Sequence, residues 1–171
     1  PRMTTSVRFA IHGGGYIAKI HAKAVSETAN AELVAIAGRS GSASELAKIA
    51  GVPWLDGEDG LVAAATRGEF DVAILCTPNT MHAPVGLRLL DGGVHLLVEK
   101  PMTTSFADAQ ALADRARANG LHAATAHGNL GAALGVAHRF AEAREQLNLA
   151  LQLDRKIHGA SHQAVAADLY N

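Results

Sequence analysis

Cysteine occurs once in the 171 residues, at Cys76, which excludes an internal disulfide and a cysteine-based zinc site as the means of holding the fold. Aromatic residues make up 4% of the chain and charged residues 18%. No uninterrupted apolar run approaches the roughly 18 residues of a membrane span, and no signal-peptide pattern is present. Charge of one sign is lacking too: 15 basic residues stand against 16 acidic ones, a net charge of -1. That balance supplies no field for capturing a phosphate backbone or an anionic lipid surface. Nucleic acid and membrane are therefore not expected as partners, and an intracellular, reducing, cytoplasmic setting is. Pro1 and Arg2 ahead of Met3 read as a remnant of cloning and take no part in the fold reasoning.

The chain does have apolar residues, 49% of the total, enough for a sizeable core in about one domain of roughly 150 residues. From Val7 to about Gly120 apolar runs alternate with helical patterns. Val7–Ile11 reads as a first strand running to Gly13, Leu33–Ala37 as a second, Phe70–Cys76 as a third and His95–Val98 as a fourth. Between them helices are expected from Tyr16 to Ser26, Ser42 to Ala50, Gly60 to Thr66, Pro84 to Leu90 and Phe106 to Ala118. Residues 51–55 read as a short strand or an extended link. Continuous apolar strands, each followed by an amphipathic helix, predict a parallel sheet covered on both faces.

After about Ala124 the texture changes. Proline and strand-like runs vanish, charges balance at four and four, and apolar residues fall at helical spacing through Leu130, Leu134, Phe140, Ala143, Leu147, Ala150 and Leu151. An offset of 42 residues aligns 124–129 with 166–171 at two identities in six, a weak internal repeat. Residues 121–124 fit either a last sheet strand or the lead into a helical hairpin. The expected division is thus 1–123 and 124–171.

The strongest chemical signal is Gly13-Gly14-Gly15-Tyr16-Ile17-Ala18, which follows a strand and opens a helix, the setting that a G-x-G-x-x-[GA] fingerprint requires. Gly13 permits the tight turn, Gly15 lets backbone approach a pyrophosphate, and Ala18 lets helix and strand pack closely. The helix led by Tyr16 and Ile17 contributes amides and a positive dipole end. No Gly-Lys-Ser/Thr follows, so a Walker loop is excluded. At the end of the second strand, where an NAD-binding protein places an acidic residue for the ribose 2′-hydroxyl, the chain reads Gly38-Arg39-Ser40. With no carboxylate to oppose a 2′-phosphate, Arg39 can pair with it and Ser40 can donate to it, so NADP is favoured over NAD. The expected architecture is α/β, a Rossmann-like doubly wound parallel sheet with a C-terminal α-helical hairpin.

Together with Thr77-Pro78-Asn79, His82 and Glu99-Lys100-Pro101, these features resemble the N-terminal half of the Gfo/Idh/MocA oxidoreductases over about Val7 to Leu121. The resemblance implies that Pro78 and Asn79 line the cofactor cleft, with Thr77, His82 and Glu99 counted among the cofactor-binding residues. It also implies that Lys100 reaches the nicotinamide and the substrate hydroxyl, and that Pro101 follows a cis peptide bond. Taken without the resemblance, Lys100 sits just past the carboxyl end of a buried strand, where open α/β sheets bind ligands, but a surface lysine is then the safer reading. The remaining histidines of this half, His12, His21, His95 and His122, are too scattered for metal spacing, and no metal is assigned.

The family pattern also implies a second domain that walls the substrate pocket and carries a catalytic histidine. The tail reads instead as helices, and its His127, His138, His158 and His162 stand in no motif of that family. It resembles a tetratricopeptide repeat of the kinesin-light-chain type through Leu130-Gly131, Ala143, Leu147 and Ala150, with the run 158–162 where a next repeat would begin. His138 in place of a turn glycine and the missing proline after the second helix depart from that pattern. A lone repeat cannot bury its apolar face, so this hairpin is expected to pack on the sheet or on its copy in a homo-oligomer. The favoured expectation is an NADP(H)-binding fusion or chimera, natural or recombined in the laboratory, with weak or no catalysis. The alternatives are a small NADP-dependent sugar or cyclitol dehydrogenase completed by a partner chain, with Lys100 handling the proton, and an interaction module carried on a nucleotide-binding platform.

Overall fold

A computed structural model describes residues 6–121 and 123–125. Apart from 124 and 125, the expected hairpin over 124–171 lies outside the described residues, as do its four histidines and the repeat-like spacing. Strands β1 (Val7–His12), β2 (Ala31–Ala37), β3 (Trp54–Leu55), β4 (Val72–Leu75), β5 (His95–Val98) and β6 (Ala123–Thr125) form one six-stranded sheet in the order β3-β2-β1-β4-β5-β6. Every pairing in it is parallel. The connections carry helices α1 (Tyr16–Ser26), α2 (Gly41–Ala50), α3 (Gly57–Thr66), α4 (His82–Asp91) and α5 (Phe106–Ala118). This is the doubly wound Rossmann-like sheet that the alternation of runs predicts.

The two faces of the sheet are packed by opposite rules. Toward α1 and α2 the strands present Phe9, Ile11, Ile36, Val72 and Ile74, and the helices answer mainly with Ala18, Ala22, Ala24, Ala43 and Ala47. Toward α3, α4 and α5 the central strands present Ala10, Ala35, Ala37 and Ala73, with Leu75, Leu96 and Val98 from β4 and β5, and the helices answer with Leu61, Leu89, Leu90 and Leu112. Around β1 and β2 large residues thus meet small ones in both layers, so density stays high without aromatic bulk. On the first face the alanines let the helices seat close to the strands, which positions their N-terminal ends over the sheet's carboxyl edge.

Several element boundaries differ from the sequence reading, each for a local reason. β2 begins at Ala31, two residues before Leu33, because Ala31 and the polar Glu32 pair with Val7 and Arg8. β4 is confined to Val72–Leu75: the Arg8 amide hydrogen-bonds the Asp71 carboxylate at 2.8 Å, in place of a ladder bond. α3 starts at Gly57 rather than Gly60. α4 starts at His82, after a 3-10 turn over Asn79–Met81. Pro84 is accommodated there because the first helical amides lack intrahelical acceptors in any case. Of the alternatives open at 51–55 and 121–124, both are strands: Trp54–Leu55 pairs with β2 and Ala123–Thr125 with β5.

Leu112 is fully buried where α5 crosses α4, and its Cδ2 lies 2.8 Å from where a Cβ on Gly86 would stand. Leu112→Ala is expected to lower the free energy of unfolding in urea by about 2–5 kcal/mol through the cavity it leaves. Phe106→Ala, at a residue 83% exposed on the same helix, should stay within about 0.5 kcal/mol of the parent.

Candidate functional site

The strand order reverses between β1 and β4, which opens a crevice at their carboxyl ends, the place where open α/β sheets bind ligands. Ladder bonds continue past the strand ends and hold the loops that rim it. The Gly13 amide donates to the Ala37 carbonyl at 2.9 Å, the Cys76 amide to the His12 carbonyl at 2.9 Å, and the Glu99 amide to the Leu75 carbonyl at 3.0 Å.

Three glycines in the first loop serve three different ends. Gly13 has φ +123°, and a Cβ there would stand 2.9 Å from the Cys76 carbonyl oxygen. Gly14 is buried, and a Cβ on it would run into the backbone of Ser42 and Ala43 at the start of α2. Gly15, the N-cap of α1, has open space within 4 Å of its Cβ position and no capping side chain. The leading amides of α1, Tyr16 and Ile17 included, therefore keep their hydrogen-bonding capacity beside an uncrowded backbone. Ala18 is fully buried against the sheet. Gly14 carried no role in the sequence reading. Its signal is a glycine at the middle position of the run, where the fingerprint leaves the residue open.

At the β2 end, where the sequence places no carboxylate to oppose a 2′-phosphate, the structure brings one from the start of α3. A guanidinium nitrogen of Arg39 lies 2.9 Å from Glu58 Oε1. The two are 19 positions apart in sequence and meet because β2 and β3 end side by side, Ala37 opposite Leu55. Trp54 Nε1 donates to the Gly38 carbonyl at 2.8 Å, which ties the two loops together. Ser40 is the N-cap of α2, and its hydroxyl lies 2.9 Å from that of Ser42.

Buried polar groups cluster at the ends of β1 and β4. His12 is 3% exposed, and both its Nδ1 and the buried Thr77 Oγ1 lack a hydrogen-bond partner among the described residues. Burial pushes the His12 pKa down to about 4; the Arg39 and His82 charges act in the same direction and Glu58 opposes them. His12 is neutral at pH 7. Desolvation and the Glu99 carboxylate push the Cys76 thiol far above its ordinary range, so it remains protonated. Pro78 is exposed and Asn79 half-buried, both in the turn that leads to α4. The buried His82 ring lies between two carbonyls, Nε2 at 2.9 Å from that of Thr77 and Nδ1 at 3.1 Å from that of Met102. It spans from the loop after β4 to the loop after Lys100.

At the β5 end Glu99 Oε1 meets His21 Nε2 at 2.6 Å, and Glu99 Oε2 accepts the Lys100 amide at 3.1 Å. His21, on α1, is 1% exposed, and its Nδ1 has no partner among the described residues. Its role was not anticipated, because the contact spans 78 positions of sequence. Lys100 is exposed, and its bond to Pro101 is cis. Thus the structure gathers Gly13, Gly15, Thr77, Pro78, Asn79, Glu99 and Lys100 around one carboxyl edge, with Arg39 and Ser40 at the β2 end of the same edge. Among the described residues no three histidine, cysteine, aspartate or glutamate side chains come together to hold a metal ion, and no helix is long and apolar enough to cross a membrane.

A dinucleotide is compatible with this arrangement on two structural grounds. Gly15 leaves open space beside uncapped helix amides, and two buried polar atoms at the crevice, Thr77 Oγ1 and His12 Nδ1, have no partner among the described residues. Gly15→Ala, at φ −73°, is expected to change unfolding free energy by no more than about 1 kcal/mol, whereas Gly14→Ala should cost roughly 3 kcal/mol by forcing α2 away; urea titration separates the two. The depressed His12 pKa favours the neutral ring of the folded state, so its contribution is present above pH 6.5 and is lost as pH falls toward 4. Between pH 7 and 5 that loss should be on the order of 2 kcal/mol, and His12→Gln should remove this part of the pH dependence of unfolding.

The chain matches the family model for the Gfo/Idh/MocA oxidoreductases, NAD-binding Rossmann fold, over residues 7–127. It is 33% identical over 122 residues to a 4-carboxy-2-hydroxymuconate-6-semialdehyde dehydrogenase of Sphingobium sp., covering 71% of this chain and 38% of that protein. To the inositol 2-dehydrogenase of Rhizobium meliloti it is 39% identical over 99 residues, 57% of this chain and 28% of that one. Among solved structures it resembles the biliverdin reductase of Synechocystis in complex with biliverdin and NADP+, with TM-score 0.65, 25% identity, and 76% and 42% of the two chains covered. The fold also matches GenD2 from gentamicin A biosynthesis in complex with NAD, with TM-score 0.67, 24% identity, and 85% and 41% covered. The chain therefore spans less than half the length of these relatives, and it belongs to the Gfo/Idh/MocA family of oxidoreductases with an NAD-binding Rossmann fold.

Proposed function

We propose that this chain supplies the nucleotide-binding unit, expected over 1–123, of a nicotinamide-dependent oxidoreductase acting on a hydroxyl or carbonyl carbon of a sugar-like or cyclitol-like substrate, with NADP preferred over NAD. The observation that carries the reading is the Gly13–Gly15 turn, where an open Gly15 and uncapped helix amides adjoin unpartnered polar atoms at the ends of β1 and β4. Amides of Tyr16 and Ile17 would receive a pyrophosphate. Thr77, Pro78 and Asn79 would line the wall beyond it, with His82 holding the Thr77 carbonyl from behind. Arg39 and Ser40 would meet the adenosine end, and Arg39 is the ground for preferring a 2′-phosphate.

When bound, the nicotinamide ring supplies hydride exchange. The chain's own part in the chemistry falls to Lys100, which would give a proton to a substrate carbonyl oxygen or take one from a hydroxyl. Its backbone is held by Glu99 Oε2, and Glu99 is in turn held by His21. The named activities of the similar proteins, inositol 2-dehydrogenase among them, support a polyol-like substrate class. The further walls of a substrate pocket come from outside the described residues, and the nucleotide-binding unit alone turns over weakly or not at all.

Calorimetric titration with NADP+ and, in parallel, NAD+ tests the reading. Saturable binding is expected, tighter for NADP+, and Gly15→Val should abolish it without unfolding the protein. Absence of saturable heat with both dinucleotides would overturn the proposal.

A further inference from the structure

We infer that Glu58 is a specificity-determining residue: it is the counter-ion that Arg39 must give up before it can hold a 2′-phosphate, and so it sets the ratio of affinities for 2′-phosphorylated and unphosphorylated dinucleotides. This deepens the proposed reading and rests on it, since it requires the crevice to take a dinucleotide.

The pair is built by the sheet. β2 and β3 run parallel, with Ile36 opposite Trp54 and Ala37 opposite Leu55, so the residues just beyond each strand emerge together. Arg39 follows one strand and Asp56-Gly57-Glu58 the other. Gly57 has φ +62° and is buried, and a Cβ on it would stand 2.9 Å from Arg39 Nε and 3.1 Å from its Cγ. The stem of Arg39 therefore lies across Gly57, which aims its guanidinium at Glu58 Oε1, 2.9 Å away. The Trp54 indole bond to the Gly38 carbonyl pins the loop that carries Arg39.

Two further observations bear on what the pair does. Glu58 is the more enclosed partner, its side chain 20% exposed against 67% for Arg39. It stands in the first turn of α3, where a carboxylate complements the helix dipole. Glu58 is thus the fixed member and Arg39 the one free to change partners. The pair also lies at the carboxyl edge of the sheet, just past the paired ends of β2 and β3.

The consequence follows from charge. A phosphate reaching Arg39 brings a second anion against Glu58 and must break the ion pair, whereas a ribose hydroxyl is a donor that a carboxylate accepts without penalty. Arg39 alone would favour the 2′-phosphate strongly, and Glu58 reduces that preference.

Binding constants for NADP+, NAD+, adenosine 2′,5′-bisphosphate and 5′-AMP, measured by calorimetry on the parent chain and on Glu58→Gln, test the inference without any turnover. Glu58→Gln should tighten NADP+ and the bisphosphate about five- to twentyfold and leave NAD+ and 5′-AMP within about threefold. Asp59→Asn removes the same charge from the same helical turn but lies on Arg88, 2.8 Å away, so it should leave the ratio unchanged. An unchanged ratio in Glu58→Gln with the dinucleotides still bound would overturn this inference and leave the proposed function standing, and an equal shift in Asp59→Asn would reduce it to net charge. If the parent binds neither dinucleotide, both fall together.

Discussion

The reversal of strand order between β1 and β4 is the constraint on which the rest of the structure depends. Once β1 stands at the centre, the chain must leave it toward β2 on one side and return to β4 on the other, and the two crossovers cannot cover the same face. Helices α1 and α2 go to one side and α3, α4 and α5 to the other. A gap opens above the carboxyl ends of β1 and β4, and every feature of the candidate site is arranged around it. The hydrogen bonds from the Cys76 amide to the His12 carbonyl and from the Gly13 amide to the Ala37 carbonyl hold the loops at its rim.

Close approach is the second theme. The alanine-rich faces of α1 and α2 let those helices sit tightly on Phe9, Ile11 and Ile36, and tight seating brings the start of α2 against Gly14. The glycine turn is therefore a structural joint between two helices as well as an opening for a ligand. Gly14 serves the joint and Gly15 the opening, which separates stability from binding within three consecutive residues.

Charge is handled differently at the two ends of the crevice. At the β5 end Glu99 is enclosed and tied to His21 from α1 and to the Lys100 backbone, so the loop bearing Lys100 is coupled to the helix that follows the glycine turn. At the β2 end the Arg39–Glu58 pair is more open. The first arrangement suits a group that must stay in place, and the second suits one that exchanges partners when an anion arrives.

Local pattern was enough for most of the fold. Apolar runs and helical periodicity located the elements from β1 to α5 to within a few residues, since burial on both faces of a parallel sheet leaves a continuous hydrophobic signal. The strand errors fell where a polar residue pairs in a strand, as Glu32 does, or where a side chain replaces a ladder bond, as Asp71 does, and the helix errors at the first turns of α3 and α4. The glycine fingerprint, the Thr77–Asn79 turn and the Glu99-Lys100-Pro101 run were legible because the spacing within each is local. The sequence by itself determined the fold class, the place of the glycine-rich turn and the family. Only the tertiary structure decided that Glu58 faces Arg39, that His21 meets Glu99 and that Gly14 carries α2, because each of these contacts joins residues far apart in the chain and exists only once neighbouring strands have set their ends side by side.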